Sequence, residues 1–214
     1  MTAQRIRVWF RKGDRVRYIS PLDVLRFWER AIRRAGLPLS DSQGVTPHPK
    51  LAFAAPLPLG FTADREVMDV TLDEAVPVDE FAGRLREEAT GDLAVVAVEE
   101  VALSAPPPQA AMLWADYSMV MPGLSPAEAQ RAIDDFARQT AMPWREERGE
   151  RVREYDLRAA TAWVRFRPAD GGVVLSMRMQ ADQSLTARPE ALAAALFPPD
   201  HPYHWITIGD PDDL

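Results

Sequence analysis

The chain has 214 residues, a formal net charge of -7 and no cysteine. Its length fits one large domain or two small ones, and its 47% hydrophobic content is enough for a true core. The lack of cysteine excludes disulfides, thiolate zinc sites and a cysteine-held iron–sulfur cluster within these residues. Three scattered histidines make a metal site unexpected, so we expect neither a metal nor another cofactor. No apolar run approaches the roughly 20 residues that span a bilayer, and no signal-peptide core is visible, so we expect a cytoplasmic protein without membrane contact.

The charge is spread unevenly along the chain. The first fifty residues contain 11 basic and 4 acidic side chains, a balance of +7, which leaves -14 for the remainder of a chain whose total is -7. This asymmetry predicts that the N-terminal region contacts an anionic partner. Arginine outnumbers lysine 23 to 2, which favours planar, bidentate recognition of phosphate or carboxylate groups.

The first 104 residues follow the order βαββαβ. Alternation of apolar and polar residues over 5–18 predicts a strand, or two half-strands bent at Gly13. Ser20, Pro21 and Asp23 are typical of the N-cap, first position and capping-box acid of a helix, and Gly36 ends it. Further strands are predicted at 50–55, 67–72 and 93–103, with a helix at 77–90. The stripe of the first helix that we expect to be buried consists of Leu22, Leu25, Trp28 and Ile32.

Residues 112–214 repeat this plan more loosely, after a proline-rich linker at 105–111. Strands are predicted at 112–121, 153–157, 162–167, 173–180 and 203–208, and helices at 125–140 and 187–196. The sequence therefore predicts a mixed α/β (α+β) protein made of two tandem ferredoxin-like βαββαβ units, each with an antiparallel sheet.

The polar face of the first helix carries a row of four arginines. They lie at positions i, i+4, i+7 and i+8, and the helix contains only two acids, Asp23 and Glu29, which cannot neutralise all four. Phosphate is a natural partner for unpaired guanidinium groups, although a solvated face with ordinary acidic partners is an open alternative. The predicted anion-binding residues on this helix are Arg26, Arg30, Arg33 and Arg34.

The loop DSQGVTPHPK at 41–50 stiffens the backbone on both sides of His48 with Pro47 and Pro49. A stiff loop that presents an imidazole, an amide and an ammonium suits recognition of a phosphate or a base edge. A structural turn and a general acid–base role for the histidine are the alternatives. The predicted binding residues here are Ser42, Gln43, His48 and Lys50.

A second polar cluster runs from Glu154 to Arg158. Its candidate functional side chains are Tyr155, Asp156 and Arg158, and an ordinary amphipathic strand is the alternative. On the open sheet face of the first unit, Arg5, Arg7, Trp9 and Arg11 are a further candidate site for single-stranded RNA, with the aromatic ring stacking on a base and the arginines holding phosphates. The alternative is that Trp9 packs against the second unit.

The segment from Arg15 to Gly60 closely resembles the radical SAM-linked family, a domain of unknown function encoded beside, or fused to, an uncharacterised radical S-adenosylmethionine protein. A second stretch, 154–158, resembles another motif of that family. Two departures stand out: Pro21 replaces the family's usual histidine, and Val45 and Thr46 replace phenylalanine and asparagine. The matched residues in the first segment are Tyr18, Ser20, Leu22, Asp23, Arg26, Arg30, Arg33, Arg34, Pro38, Ser42, Gly44, Pro47, His48, Pro49, Pro56, Leu57 and Gly60.

The resemblance implies association with a radical S-adenosylmethionine protein, and with RNA that this partner modifies. The predicted function is a noncatalytic, RNA-binding or substrate-presenting partner of the radical enzyme, whose iron–sulfur cluster the partner itself must hold. One alternative is an RNA-processing or RNA-modifying enzyme, similar in outline to tandem ferredoxin-like endoribonucleases. Another is a protein–protein adaptor whose basic face meets an acidic partner.

Overall fold

The computed structural model describes residues 4–149, 151–198 and 201–208. The chain divides into two compact units, residues 1–112 and 113–214. No helix among the described residues is long and apolar enough to cross a membrane.

The N-terminal unit is an antiparallel sheet of four strands with two main helices. The strand order is β4-β1-β3-β2, which is the order of a ferredoxin-like βαββαβ unit. Its elements are β1 (Gln4–Lys12), a 3₁₀ turn (Asp14–Val16), α1 (Pro21–Arg34), β2 (Leu51–Phe53), β3 (Phe61–Leu72), α2 (Val78–Glu88), β4 (Leu93–Val101) and a short α3 (Pro108–Ala111).

The C-terminal unit repeats this order with one insertion. Its four-stranded sheet has the order β10-β5-β9-β8, and a separate hairpin of β6 and β7 interrupts the connection between its first helix and β8. Its elements are β5 (Trp114–Pro122), α4 (Pro126–Arg138), β6 (Pro143–Arg148), β7 (Arg151–Asp156), β8 (Thr161–Ala169), β9 (Gly172–Gln180), α5 (Pro189–Leu196) and β10 (His204–Ile208). The predicted fold class is confirmed, and β6 is a strand that the sequence patterns missed.

Local sequence signals set the start of α1. The Ser20 hydroxyl accepts a hydrogen bond from the Asp23 backbone N–H at 3.2 Å, and Pro21 occupies the first turn. At the other end, Gly36 adopts a φ of 64°, and the Arg84 side chain of α2 donates to the carbonyls of Ala35 and Gly36, both at 2.8 Å. The C-terminal end of α1 is thus tied to α2.

The first predicted strand is shorter than expected. It ends at Lys12, and residues 14–16 form a 3₁₀ turn instead of a second half-strand. At Gly13, the backbone N–H donates to the Asp92 carbonyl at 2.7 Å, and a Cβ atom added there would lie 2.1 Å from the Asp92 carboxylate. Any larger residue at Gly13 would require the Asp92 side chain to move.

The predicted proline linker is partly structured. Pro108 is buried, and α3 packs near β2 and β3. The division between the units falls at 112/113, directly after this short helix.

The buried side of α1 differs from the predicted stripe. Trp28 and Ile32 are fully buried, as expected, but Leu25 is half-buried and Leu22 is 54% exposed. Val24 and Ala31 complete the buried face instead. Leu22 lies in the first turn of α1, at the rim of a cavity.

We expect Trp28→Ala to lower the free energy of unfolding by about 3–5 kcal/mol, because it deletes a fully buried indole that packs on Phe10 with ring centroids 4.8 Å apart. Leu22→Ala is the control from the same helix and should cost less than about 1 kcal/mol. Urea denaturation of both variants measures the difference; equal costs would contradict this assignment of the core.

Candidate functional site

The four predicted arginines of α1 are all exposed, but three of them have acidic partners. Arg26 lies 3.5 Å from Asp23, and Arg34 lies 2.7 Å from Glu88 of α2. The guanidinium of Arg33 is shared between Glu29 of its own helix, at 3.3 Å, and Asp41 of the following loop, at 2.9 Å. The alternative that these arginines have ordinary acidic partners therefore holds for three of the four. Two of the acids, Asp41 and Glu88, lie outside the helix and are brought to it by the tertiary structure.

Arg30 differs from its neighbours. Among the described residues it has no hydrogen-bond or ion-pair partner, and it is exposed between Arg26 and Arg33 on the same face of the helix. The neighbouring ion pairs are themselves exposed, and such pairs typically contribute no more than about 1 kcal/mol. An incoming phosphate can therefore compete for these guanidinium groups.

The His48 loop, residues 41–49, is closed by its own backbone. Ser42 donates its N–H to the His48 carbonyl at 2.7 Å, and the His48 N–H donates to the Ser42 hydroxyl at 3.0 Å. Ser42 thus shapes the loop from within. Gln43 and His48 are exposed at the end of the loop, and His48 has no side-chain partner among the described residues.

The base of this loop is fixed to the unit. The fully buried Ser40 donates its hydroxyl to the Asp73 carboxylate at 2.5 Å. Lys50 donates its N–H to the Ser40 carbonyl and accepts from the Thr71 N–H. The Arg33–Asp41 ion pair then joins the start of the loop to the last turns of α1. The structure therefore brings the arginine row next to the beginning of the His48 loop.

On the opposite side of the sheet, Arg5 and Arg7 of β1 are paired within the unit. Arg7 makes a bidentate contact with Asp69 at 2.8 and 3.1 Å, and Arg5 contacts the same carboxylate at 3.5 Å. Arg5 also donates to the carbonyls of Ala102 and Ala105. These contacts favour a structural role for Arg5 and Arg7.

A cavity of about 260 Å³ lies beneath the N-terminal end of α1. Its walls are almost entirely apolar, and two ionisable side chains, Lys12 and Glu66, line it as well. Sequence reasoning identified neither of these residues as functional. The lining residues are Phe10, Lys12, Pro21, Leu22, Val24, Leu25, Phe53, Ala55, Pro56, Leu57 and Glu66.

Strand geometry explains why both ionisable groups point inward. Lys12 follows Phe10 by two residues on β1, so both face the helices and are 1% exposed. On β3, Ala63 and Glu66 are also both buried, although an odd spacing would normally place them on opposite faces. The pairing of β1 with β3 shifts register between these two residues, and the extra residue of this irregularity lets Ala63 face inward as Glu66 does, whereas Glu66 follows the regular alternation with Met68.

Glu66 is the more unusual of the two groups. It is 7% exposed and has no hydrogen-bond or ion-pair partner among the described residues. Burial raises the pKa of Glu66 to about 8, even though the charge of Lys12 acts in the opposite direction. Burial also lowers the pKa of Lys12, whose ammonium donates to the Arg17 carbonyl at 3.1 Å.

Two sequence signals could have revealed this pair. Lys12 is one of only two lysines in an arginine-rich chain and lies on the apolar phase of its strand. Glu66 precedes Met68, Val70 and Leu72 at two-residue spacing, which is the buried phase of β3. The predicted strand began at Val67 and so left Glu66 out.

In the C-terminal unit, Asp156 stabilises a turn. One oxygen of its carboxylate accepts backbone hydrogen bonds from Met142 and Arg158, both at 2.9 Å, and from Ala159 at 3.3 Å. The Met142 contact is the main cause of the lowered pKa of Asp156. This supports the structural alternative for the cluster at 154–158.

Tyr155 and Arg158 flank this turn. The Arg158 guanidinium lies 5.2 Å from the centre of the Phe136 ring. The Tyr155 hydroxyl is buried without a hydrogen-bond partner among the described residues, and burial raises the pKa of Tyr155 to about 12. Among the described residues, no group of three or more His, Asp or Glu side chains could hold a metal ion.

The family model described as "Uncharacterized protein conserved in bacteria (DUF2344)" matches residues 5–189. The chain belongs to this family. The matched range includes the arginine row, the His48 loop and the whole lining of the cavity. Membership of a bacterial family of uncharacterised proteins is thus confirmed, whereas the association of this family member with a radical enzyme stays a prediction.

Several solved structures are similar to this family member, and one of them aligns with both units. It is a chain in a crystal structure of a Cbf5-Nop10-Gar1 complex, with a TM-score of 0.51 and 10% sequence identity. The likeness covers 95% of the family member and 47% of the chain in the complex, so the family member spans about half the length of that chain. At this identity the likeness shows the fold alone. No curated protein matches the sequence.

The raised pKa of Glu66 predicts a pH-dependent stability. Burial raises the pKa of Glu66 to about 8 in the folded state, whereas the ordinary pKa of this carboxyl, which applies to the unfolded chain, is 4.5. Between pH 4.5 and about 8, folding is therefore accompanied by the uptake of a proton. The free energy of unfolding should therefore fall as pH rises from about 5 to about 8, by at most ~1.4 kcal/mol per pH unit. Glu66→Gln should remove this fall and be the more stable protein at pH 8.

Urea denaturation at pH 5, 6, 7 and 8 measures this dependence. Glu74→Gln changes an exposed carboxylate later in the same unit and should keep the wild-type dependence. Parallel curves for wild type and Glu66→Gln would show that Glu66 does not hold its proton in the folded protein.

Proposed function

We propose that this protein is a noncatalytic RNA-binding partner that presents RNA to a radical S-adenosylmethionine enzyme in the cytoplasm. The observation that carries the RNA-binding part is the exposed arginine row of α1, with the His48 loop at its end. Arg30, at the centre of the row, has no ion-pair partner among the described residues. The resemblance of residues 15–60 to the radical SAM-linked family supports the choice of partner.

The shape of this surface supports binding to a phosphate backbone. Arg26, Arg30 and Arg33 lie on one face of α1, with successive Cα positions about 6 Å and then about 4.5 Å apart along the axis. Guanidinium groups at such spacing can contact successive phosphates of a single strand. Displacing the exposed Asp23 from Arg26 costs little, and Arg30 has no acid to displace among the described residues.

The His48 loop would extend this surface beyond the end of α1. Its closure by Ser42 and its attachment through Arg33 and Asp41 present the Gln43 and His48 side chains from a fixed backbone. An amide and an imidazole are suitable donors and acceptors for phosphate oxygens or base edges.

The radical chemistry itself is assigned to the partner. The 214 residues contain no cysteine, so the thiolates that hold the cluster must come from another protein or domain. In this proposal, the family member binds the RNA and places it within reach of the partner.

A second candidate function is that of an RNA-modifying enzyme, and one observation favours it. Glu66 lines a cavity and has a pKa of about 8, close to the value suited to a general acid or base at neutral pH. Mass spectrometry of RNA incubated with the purified protein tests this candidate. A change in RNA mass that Glu66→Gln abolishes would replace the noncatalytic proposal.

Arg30→Ala should weaken binding to bulk cellular RNA and reduce the salt dependence of the affinity by about one unit of slope, because one phosphate contact is lost. Its free energy of unfolding should change by no more than about 0.5 kcal/mol, since the side chain is exposed and makes no ion pair with the described residues. Filter binding or fluorescence anisotropy at four salt concentrations provides the RNA affinity and its salt dependence, and urea denaturation provides the free energy of unfolding.

Arg138→Ala is the matched control, because Arg138 is an exposed arginine in the last turn of α4. It should leave the affinity and the slope unchanged. If Arg30→Ala also leaves both unchanged, the arginine row is not the RNA site, and an adaptor role with an acidic protein partner becomes the better proposal.

A further inference from the structure

The cavity beneath α1 combines an apolar interior with two buried ionisable groups that the basic surface does not use. We propose that it binds a single nucleobase that carries a lactam edge, meaning a ring N–H beside a carbonyl oxygen, as in guanine and uracil. This inference rests on the proposed RNA-binding function and names the part of the RNA that the protein selects.

The size and walls of the cavity fit one planar ring system. At about 260 Å³ it lies just below the usual range for pockets that hold drug-sized ligands, which begins near 300 Å³. Phe10 and Phe53 contribute aromatic rings whose centroids are 5.9 Å apart, and Leu22, Leu25 and Leu57 supply aliphatic surface. Proteins that take a base out of a strand hold it between such aromatic and apolar side chains.

The buried carboxyl provides the complementary hydrogen bonds. A buried carboxyl that keeps its proton offers one donor and one acceptor side by side, which match the carbonyl oxygen and N–H of a lactam. Without a ligand, Glu66 has no hydrogen-bond or ion-pair partner among the described residues, although it is more than nine-tenths buried. A ligand that satisfies it would remove the cost of an unpaired buried polar group.

Lys12 strengthens the preference for a carbonyl. Its ammonium has three donors, and the Arg17 carbonyl accepts one of them. An ammonium cannot accept a hydrogen bond, so this end of the cavity favours a ligand oxygen. Adenine has no carbonyl oxygen, and cytosine has no ring N–H beside its carbonyl, so both should bind less well.

The cavity is also placed to receive a base from a strand bound along α1. Leu22, at its rim, starts the i, i+4, i+8 row that continues through Arg26 and Arg30. Eight helical residues span about 12 Å, so a strand on the arginines passes close to the rim. The backbone would stay on the exposed arginines while one base turns inward.

Free nucleosides test the cavity without the phosphate backbone. We expect guanosine and uridine to shift backbone amide signals of Phe10, Lys12, Phe53 and Glu66 in nuclear magnetic resonance titrations of the full chain. Adenosine and cytidine should bind at least about tenfold more weakly. Glu66→Gln should retain binding, because an amide also offers a donor beside an acceptor, whereas Glu66→Leu should abolish it.

Glu66→Leu places an apolar side chain in an apolar site, so we expect it to fold, and its thermal unfolding verifies this. Arg30→Ala should leave nucleoside binding unchanged while it weakens RNA binding, which separates this inference from the proposed function. Equal binding of all four nucleosides, binding by Glu66→Leu as tight as that by wild type, or no binding of guanosine and uridine would each overturn the inference. RNA binding that depends on Arg30 would stand in all three cases.

Discussion

The contact between Phe10 of β1 and Trp28 of α1 is the interaction on which most of the N-terminal unit depends. The centroids of the two rings lie 4.8 Å apart, and both residues are almost fully buried. Because Trp28 faces the sheet, the residues on the other side of α1 must face solvent. One aromatic contact therefore sets both the packing of the helix and the outward direction of Arg26 and Arg30.

Phe10 also takes part in the cavity, which links the core to the candidate binding site. Its ring contacts Phe53 edge-on at a centroid distance of 5.9 Å, and both rings line the space beneath the first turn of α1. Farther along the helix, Trp28 and Ile32 fill the space above the sheet. At the first turn, Leu22 stays exposed and Leu25 is only half-buried, so the space below them is left open.

Burying Lys12 and Glu66 beside this cavity works against stability. Removing a carboxyl from water costs free energy, and the raised pKa of Glu66 reflects that cost. An apolar side chain at the same position would remove it. Groups of this kind, held in an unfavourable environment by the surrounding fold, are often found at functional sites. This physical argument, together with the apolar walls, makes the cavity a stronger candidate for selectivity than the exposed His48 loop.

Much of the fold was predictable from sequence because the signals are local. Ser20 and Pro21 mark the start of α1, and Gly36 marks its end. The alternation of residues along β1 fixes the buried face of that strand. The arginine row follows from helical spacing alone. Strand β6 was missed because its sequence, PWREER, carries no clear apolar alternation, and its pairing with β7 decides its structure.

The candidate site required the tertiary structure. Glu88 and Asp41 neutralise Arg34 and Arg33 from outside the helix, so sequence spacing could show the guanidinium row but not which of its members have acidic partners in the folded chain. Lys12 and Glu66 are 54 residues apart in sequence, and the pairing of β1 with β3 brings both side chains to the same cavity. Local patterns determine which residues form each element. Which charges end up paired, exposed or buried depends on contacts between distant segments, and only the folded chain decides them.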